Sequence, residues 1–450
     1  MNHVLNGIMG LCVADALGVP VEFVDRETLE KNPVVGMRAH GTYNQPAGTW
    51  SDDTSMTLCL MDSLIKGLDY NDIMSNFIKW KNEGKYTPYG EAFDIGITTG
   101  ESLRRFEEGT PPLECGGKNE RDNGNGSLMR ILPALFYLQS IYGIKFGDAY
   151  GAAEEAYGII HNISALTHAH KRSKIACGIY VSVASMLPGG EDLKAAVRTG
   201  IYKATRYYRE QSYFVDELEH FSRLEKRDFA QLPVKEIRSS GYVVDTLEAA
   251  IWCLLNTDNY KDCVLKAVNL GKDTDTVAAV AGGLAGLEYG YEGIPQDWID
   301  KIAGREYIED LCNQFNLSLV RKGAEKLLQF IPYFETATEE NVCRWEKERK
   351  PGENHRTLPY PVYDRTLKDF IREFYETNLI SPNYSDILDN RNLKDMNGIN
   401  DAIAKADIEL LRAILTKYII RERFCDGVWA IAVKNGIFLG ILNRFQELLR

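Results

Sequence analysis

Residues 271–290 read Gly-Lys-Asp-Thr-Asp-Thr-Val-Ala-Ala-Val-Ala-Gly-Gly-Leu-Ala-Gly-Leu-Glu-Tyr-Gly, and residues 49–64 read Thr-Trp-Ser-Asp-Asp-Thr-Ser-Met-Thr-Leu-Cys-Leu-Met-Asp-Ser-Leu. Each stretch opens on an acidic, hydroxyl-rich cluster and runs straight into an apolar segment of helical length. Val277 to Gly290 is rich in Ala and Gly, so a neighbouring helix can approach closely. Residues 56–64 are apolar on nearly all sides, as a central, fully buried helix requires. Near the N-terminus Val4, Ile8, Leu11, Cys12 and Asp15 share one helical face, which puts a carboxylate on an apolar stripe. Asp245 to Glu248 resembles a capping pair for a helix running through Leu255. Strand-like alternation is scarce, and no repeat of 20–50 residues is present. The fold class is all-α.

The chain has 450 residues, 44% of them hydrophobic and 26% charged, enough for a sizeable core and long for one domain. A division between about 310 and 335 gives domains at 1–315 and 316–450. Residues 345–357 are strongly charged and carry Pro351 and Gly352, which suits a solvated loop. Beyond them Ile403, Leu410, Leu411, Ile414, Leu415 and Tyr418 form one amphipathic helix. Two further helices are expected, one around Trp429 to Lys434 and one from Ile437 onward, punctuated by Gly436. This is a small helical accessory domain with its own core.

A formal net charge of -12 argues against nonspecific binding to nucleic acid or anionic membranes, although it does not exclude a nucleotide-like ligand or a modified nucleic acid. The nine cysteines form no C-x-x-C pair and are odd in number, so neither a zinc ribbon nor a disulfide framework is indicated. No secretory pattern and no apolar run of about 18 residues is found, so a cytoplasmic protein is expected.

The two acidic clusters allow two readings. Asp, Ser and Thr before an apolar run are ordinary helix caps, and acidic residues favour the positive end of a helix. Two carboxylate pairs interleaved with hydroxyls also suit hard divalent cations, which prefer several oxygen ligands. Three motifs lie around and between the clusters. Gly18 ends a helix that Pro20 cannot continue, which leaves Glu22 on a loop, facing either solvent or a ligand. Arg121 to Arg130 is a glycine-rich loop entering a helix, a place where backbone N–H groups meet anions or simply turn. His168 and His170 form an HxH pair with no third zinc-type ligand nearby, which favours substrate contact or structure over metal.

In order along the chain, Glu22, Ser51-Asp52-Asp53-Thr54, Asn125-Gly126-Ser127-Leu128-Met129-Arg130, His168-Ala169-His170 and Asp273-Thr274-Asp275-Thr276 resemble the ADP-ribosylglycohydrolase family, relatives of the dinitrogenase reductase-activating glycohydrolase. The resemblance covers about residues 1–310. Departures are small: Val13-Ala14 stands where a Gly often precedes Asp-Ala, and Lys272 lies within the second cluster. It implies a compact orthogonal helical bundle with two Mg²⁺ or Mn²⁺ ions. Ser51, Asp52, Asp53, Asp273, Asp275 and Thr276 would be the metal ligands. Glu22 and Asp122 would handle protons, while Asn125, Gly126, Ser127, Met129 and His168 would contact substrate. The implied reaction is hydrolysis of ADP-ribose from a protein side chain, arginine first. A Mg²⁺-dependent phosphoryl hydrolase and a non-catalytic ADP-ribose-binding protein are the alternatives. The segment from Arg421 to Gly427 resembles an uncharacterised bacterial domain. Its role (target recognition, oligomer contact or capping), like the oligomeric state, is left open.

Overall fold

The computed structural model describes residues 2–143, 150–189, 192–346, 359–381, 383–393 and 398–450. Most of the charged segment expected at 345–357 therefore lies outside the described residues. Arg344, Trp345 and Glu346 belong instead to a strand, β1 (Cys343–Glu346), paired antiparallel with β2 (Tyr360–Tyr363) in the register Cys343 to Tyr363. This pair of four-residue strands is set in a fold that is otherwise all-α, as expected. Each strand is too short to display a period of two.

The other regular elements among the described residues are helices, and the chain divides into two compact units. One comprises Asn2–Leu138 and Lys145–Asn316, the other Gln139–Ile144 and Leu317–Arg450. The division falls inside a continuous helix, Arg305–Leu327, rather than in a loop.

The larger unit is built on α1 (His3–Gly18), α2 (Asp52–Lys66) and α3 (Thr274–Tyr289). The expected apolar stripe of α1 is in fact a whole apolar cylinder, buried on every side from Asn6 to Gly18. By length and hydropathy His3–Val21 would suit a membrane span, but 94% of it is buried inside the protein as a core helix. Close approach of α1 to α3 depends on missing side chains. A Cβ on Gly282 would lie 2.4 Å from the Gly10 carbonyl oxygen, and one on Gly286 would lie 2.2 Å from that of Asn6. Where α1 ends, a Cβ on Gly18 would lie 2.3 Å from Asp275 Cα. The C-terminus of α1 thus rests on the second acidic cluster, and Thr274 Oγ1 donates to the Gly18 carbonyl at 2.9 Å.

Two helix boundaries differ from the sequence reading. The helix Val243–Leu255 begins two residues before Asp245, so Asp245 and Glu248 are not its caps. Asp245 accepts from Ser240 Oγ at 2.6 Å, and Glu248 pairs with Arg223 at 3.1 Å. In the smaller unit Ile403 belongs to a separate short helix, Ile399–Lys405. Asp407 then caps a new one, Ile408–Arg421, by accepting from Leu410 N at 2.8 Å. Helices Val428–Lys434 and Ile437–Leu449 follow as expected, with Gly436 in the left-handed region at φ 69°. Phe334, Phe370, Phe438 and Phe445 sit in a core of this unit's own.

Candidate active site

Asp15, on the last turn of α1, organises the start of α2. Its carboxylate accepts from Ser51 N at 3.0 and 3.1 Å, Thr54 N at 3.1 Å and Thr54 Oγ1 at 2.6 Å. Free N–H groups and the positive end of the dipole at a helix start attract such an anion. Ser51 is the N-cap, accepting from Asp53 N at 3.3 Å, and its hydroxyl donates to Asp53 Oδ2 at 3.0 Å. Asp273 holds the matching position on α3 but makes no capping bond. Its carboxylate instead accepts from Asn125 Nδ2 at 2.8 Å.

The two clusters meet. Thr276 Oγ1 donates to Asp53 Oδ2 at 3.2 Å across 223 residues of chain. Carboxylate oxygens of Asp15, Asp53 and Asp275 lie within 4.8 Å of one another, and so do those of Glu22, Asp94 and Asp275. Asp275 is common to both triads. Asp53 Oδ1, Asp275 Oδ2 and Glu22 Oε2 are buried without a hydrogen-bond partner among the described residues. Burial first, and then neighbouring carboxylates, push Asp52, Asp53 and Asp275 well above the usual carboxylate range. Burial likewise raises Asp15 to about 6, against the opposing hydrogen bonds of Thr54 and Ser51. Buried carboxylates with unpartnered oxygens, clustered this closely, are the donor set of hard divalent cations, so the two triads fit metal ions.

Glu22 is fixed by backbone pairing of the two residues that follow it. Phe23 N donates to the Lys272 carbonyl at 2.6 Å, and Lys272 N donates to the Val24 carbonyl at 2.7 Å. Phe23 and Lys272 both adopt left-handed backbone, with φ of 64° and 66°. Lys272 serves this clamp through its backbone while its side chain is exposed. Of the two readings the sequence allows for Glu22, solvent-facing or ligand-facing, the first fails: the side chain is 5% exposed, and burial followed by Asp94 raises it to about 9. Asp94 accepts from the Tyr43 hydroxyl at 2.6 Å.

The glycine-rich loop lies beside the second cluster. Asn125 N donates to the Gly241 carbonyl at 3.1 Å, and its amide also reaches Thr246 Oγ1 at 3.0 Å. Ser127 is buried with its hydroxyl taken up by Ser164 at 3.0 Å and Cys177 at 3.5 Å. Met129 is buried, and Gly126 stands against the His168 ring. His170 is used separately: its Nδ1 accepts from Arg172 N at 3.2 Å and caps the helix Lys171–Met186.

Of the residues expected from sequence, Glu22, Asp53 and Asp275 fall in the triads. Ser51, Asp52, Asp273 and Thr276 stand beside them. Asp122 does not join the cluster: its carboxylate accepts from Asn119 N at 2.8 Å and closes its own turn. Asp15 and Asp94 were absent from the expected ligand set. Asp15 did carry a signal, as the lone carboxylate on an apolar stripe. Asp94 sits in a loop whose residue types give no hint of it.

A site of this composition on this helical frame has relatives. The sequence profile described as ADP-ribosylglycohydrolase matches residues 1–326. The chain belongs to the ADP-ribosylglycohydrolase family. It is a glycohydrolase by that membership. The ADP-ribosylarginine hydrolase Tri1 of Serratia proteamaculans is 33% identical over 319 residues, covering 68% of this chain and 77% of its own. The ADP-ribosyl-dinitrogen reductase glycohydrolase of Rhodospirillum rubrum is 32% identical over 306 residues, covering 67% and 90%. A solved ADP-ribosylglycohydrolase-related protein complex is similar with a TM-score of 0.56 at 28% identity, over 70% of this chain and 96% of that one. Residues 319–450 match a family of unknown function, DUF6508.

Proposed function

We propose that this ADP-ribosylglycohydrolase removes ADP-ribose from arginine side chains of a modified protein, with two divalent cations, Mg²⁺ or Mn²⁺, held by the acidic triads. The observation that carries this is the pair of carboxylate triads sharing Asp275, buried except at Asp94, in which Asp53, Asp275 and Glu22 each keep an unpartnered oxygen. The arginine linkage draws support from the relative named for ADP-ribosylarginine.

Asp15, Asp53 and Asp275 would hold one ion and Glu22, Asp94 and Asp275 the other. Bound there, the ions supply charge neutralisation, a grip on ribose hydroxyls and a lowered pKa for attacking water. Cleavage at an anomeric carbon passes through an oxocarbenium-like state and needs a proton for the leaving group. Glu22, ionised when it holds its cation, would not supply that proton itself; its free Oε2 would orient the water that protonates the leaving nitrogen. Asn125 orients Asp273 and keeps the loop in register beside the ribose. Eight of the nine cysteines are buried free thiols, in keeping with a reducing cytoplasm.

Incubation with peptides ADP-ribosylated on arginine, on serine, and with an ADP-ribosylated nucleic-acid base tests the linkage, reading free ADP-ribose by mass spectrometry. Release from arginine only, abolished by EDTA and restored by Mg²⁺ or Mn²⁺, is the expected result. Release unchanged by EDTA, or phosphate release in its place, would remove the reading.

A further inference from the structure

His168 is 2% exposed, and its Nδ1 lies 2.8 Å from Thr167 Oγ1. That hydroxyl accepts from Arg130 Nη2 at 2.7 Å. A guanidinium has no acceptor, so the single proton of Thr167 points elsewhere, and His168 Nδ1 is the acceptor in reach. Nδ1 is then bare and the ring proton sits on Nε2. The opposite arrangement, with Nδ1–H donating to Thr167, would strand the buried hydroxyl proton without an acceptor among the described residues, at a desolvation cost of the kind proteins avoid.

Arg130 serves the same end from two sides. It is fully buried, lies 4.9 Å over the Phe77 ring, and pairs with no carboxylate in any described contact. One arm of its fork holds Thr167, and the other donates to the Gly126 carbonyl, fixing ring and loop to one planar group. Burial, aided by the Arg130 charge, holds the imidazole down to about 3, so it stays neutral. The Nε2 edge meets the loop where side chains are missing. A Cβ on Gly124 would stand 3.3 Å from Nε2, and one on Gly126 would stand 2.9 Å from Cε1.

We propose that Arg130 and Thr167 are positioning residues that lock His168 as a neutral Nε2–H donor, offered across the Gly124–Gly126 loop to an anionic phosphate oxygen of the bound substrate. The phosphate rests on the ADP-ribosyl reading above, whereas the tautomer does not. A cation behind a neutral donor polarises its N–H outward, which favours an anionic acceptor over a hydroxyl. The arrangement also explains why HxH here is no metal pair: the nitrogen turned toward the loop carries a proton.

The full chain, labelled with ¹⁵N-histidine, tests this by long-range ¹H–¹⁵N spectra, with His168→Gln assigning the signals. The expected result is the Nε2–H tautomer for His168 in the unmodified sequence. Thr167→Val should redistribute the tautomers and weaken ADP-ribose binding in calorimetry about tenfold, and Thr167→Ser should restore both. An Nδ1–H or imidazolium signal in the parent chain overturns the proposal without any variant. So does a Thr167→Val chain with parental tautomer and affinity. The expected tautomer, lost in Thr167→Val and regained in Thr167→Ser, in a chain that never binds ADP-ribose supports the lock and overturns the proposed function instead.

Discussion

Asp15 joins the two jobs that the sequence offered as rivals for its acidic clusters. It caps α2, satisfying two backbone N–H groups and a hydroxyl, and it lies within a carboxylate triad. Asp15→Ala would leave those donors buried and unpaired. A loss of about 3 kcal/mol in urea unfolding with EDTA present is expected. Equal stability would show that the capping bonds contribute nothing. The variant should also lose its response to Mg²⁺, which separates the ligand role from the cap. At this scale the sequence was legible where residue type alone restricts chemistry. Adjacent carboxylates at Asp52-Asp53 and Asp273-Thr-Asp275 announce themselves. Asp122 and Asp94 show the limit, because which of two loop carboxylates faces the site depends on backbone turns. Asp122 is spent on Asn119 N, and Asp94 is held in the left-handed region at φ 59° with Tyr43 as partner.

At the scale of elements, spacing between helices decides whether the site exists. The sequence revealed the Ala- and Gly-rich face of α3 but not its partner, since any apolar helix could fill that role. The structure gives it to α1, with backbone carbonyls of Asn6 and Gly10 where side chains would otherwise stand. Gly282→Val should therefore force α1 and α3 apart and move Asp15 relative to Asp275. A loss of at least about 3 kcal/mol, or failure to fold, is expected, as in other overpacked cores. If the soluble variant kept parental unfolding midpoint and Mg²⁺ response, close packing would not be what sets the triads. Boundaries were less legible than faces. Ile403 keeps the helical phase of Leu410 and Ile414 through a break at Ala406-Asp407, so periodicity alone runs two helices together. Asp245 and Glu248 have the letters of a cap but lie inside the helix Val243–Leu255, where Ser240 and Arg223 claim them.

For the molecule as a whole, the buried carboxylates should make stability depend jointly on pH and cations. Asp15 is raised to about 6 and Glu22 to about 9, and Asp52, Asp53 and Asp275 are also raised, with burial the largest cause in each. A carboxyl whose pKa is higher in the folded state binds protons that the unfolded chain has already released. Stability of the metal-free chain should therefore fall as pH climbs from about 4 through 6 and on toward 9, the reverse of an acid-labile ion pair. Divalent cations compete with those protons, so their stabilisation should grow over the same interval. Thermal unfolding with EDTA and with excess Mg²⁺ or Mn²⁺, at pH 5 and at pH 8, measures this directly. The expected gain in Tm is roughly 5 °C or more at pH 8 and close to zero at pH 5. A gain equal at both pH values would mean that the cations bind elsewhere, because surface carboxylates with ordinary pKa values are already ionised at pH 5. No gain at either would leave the buried charges to protons alone, and the acidic clusters would be helix caps after all.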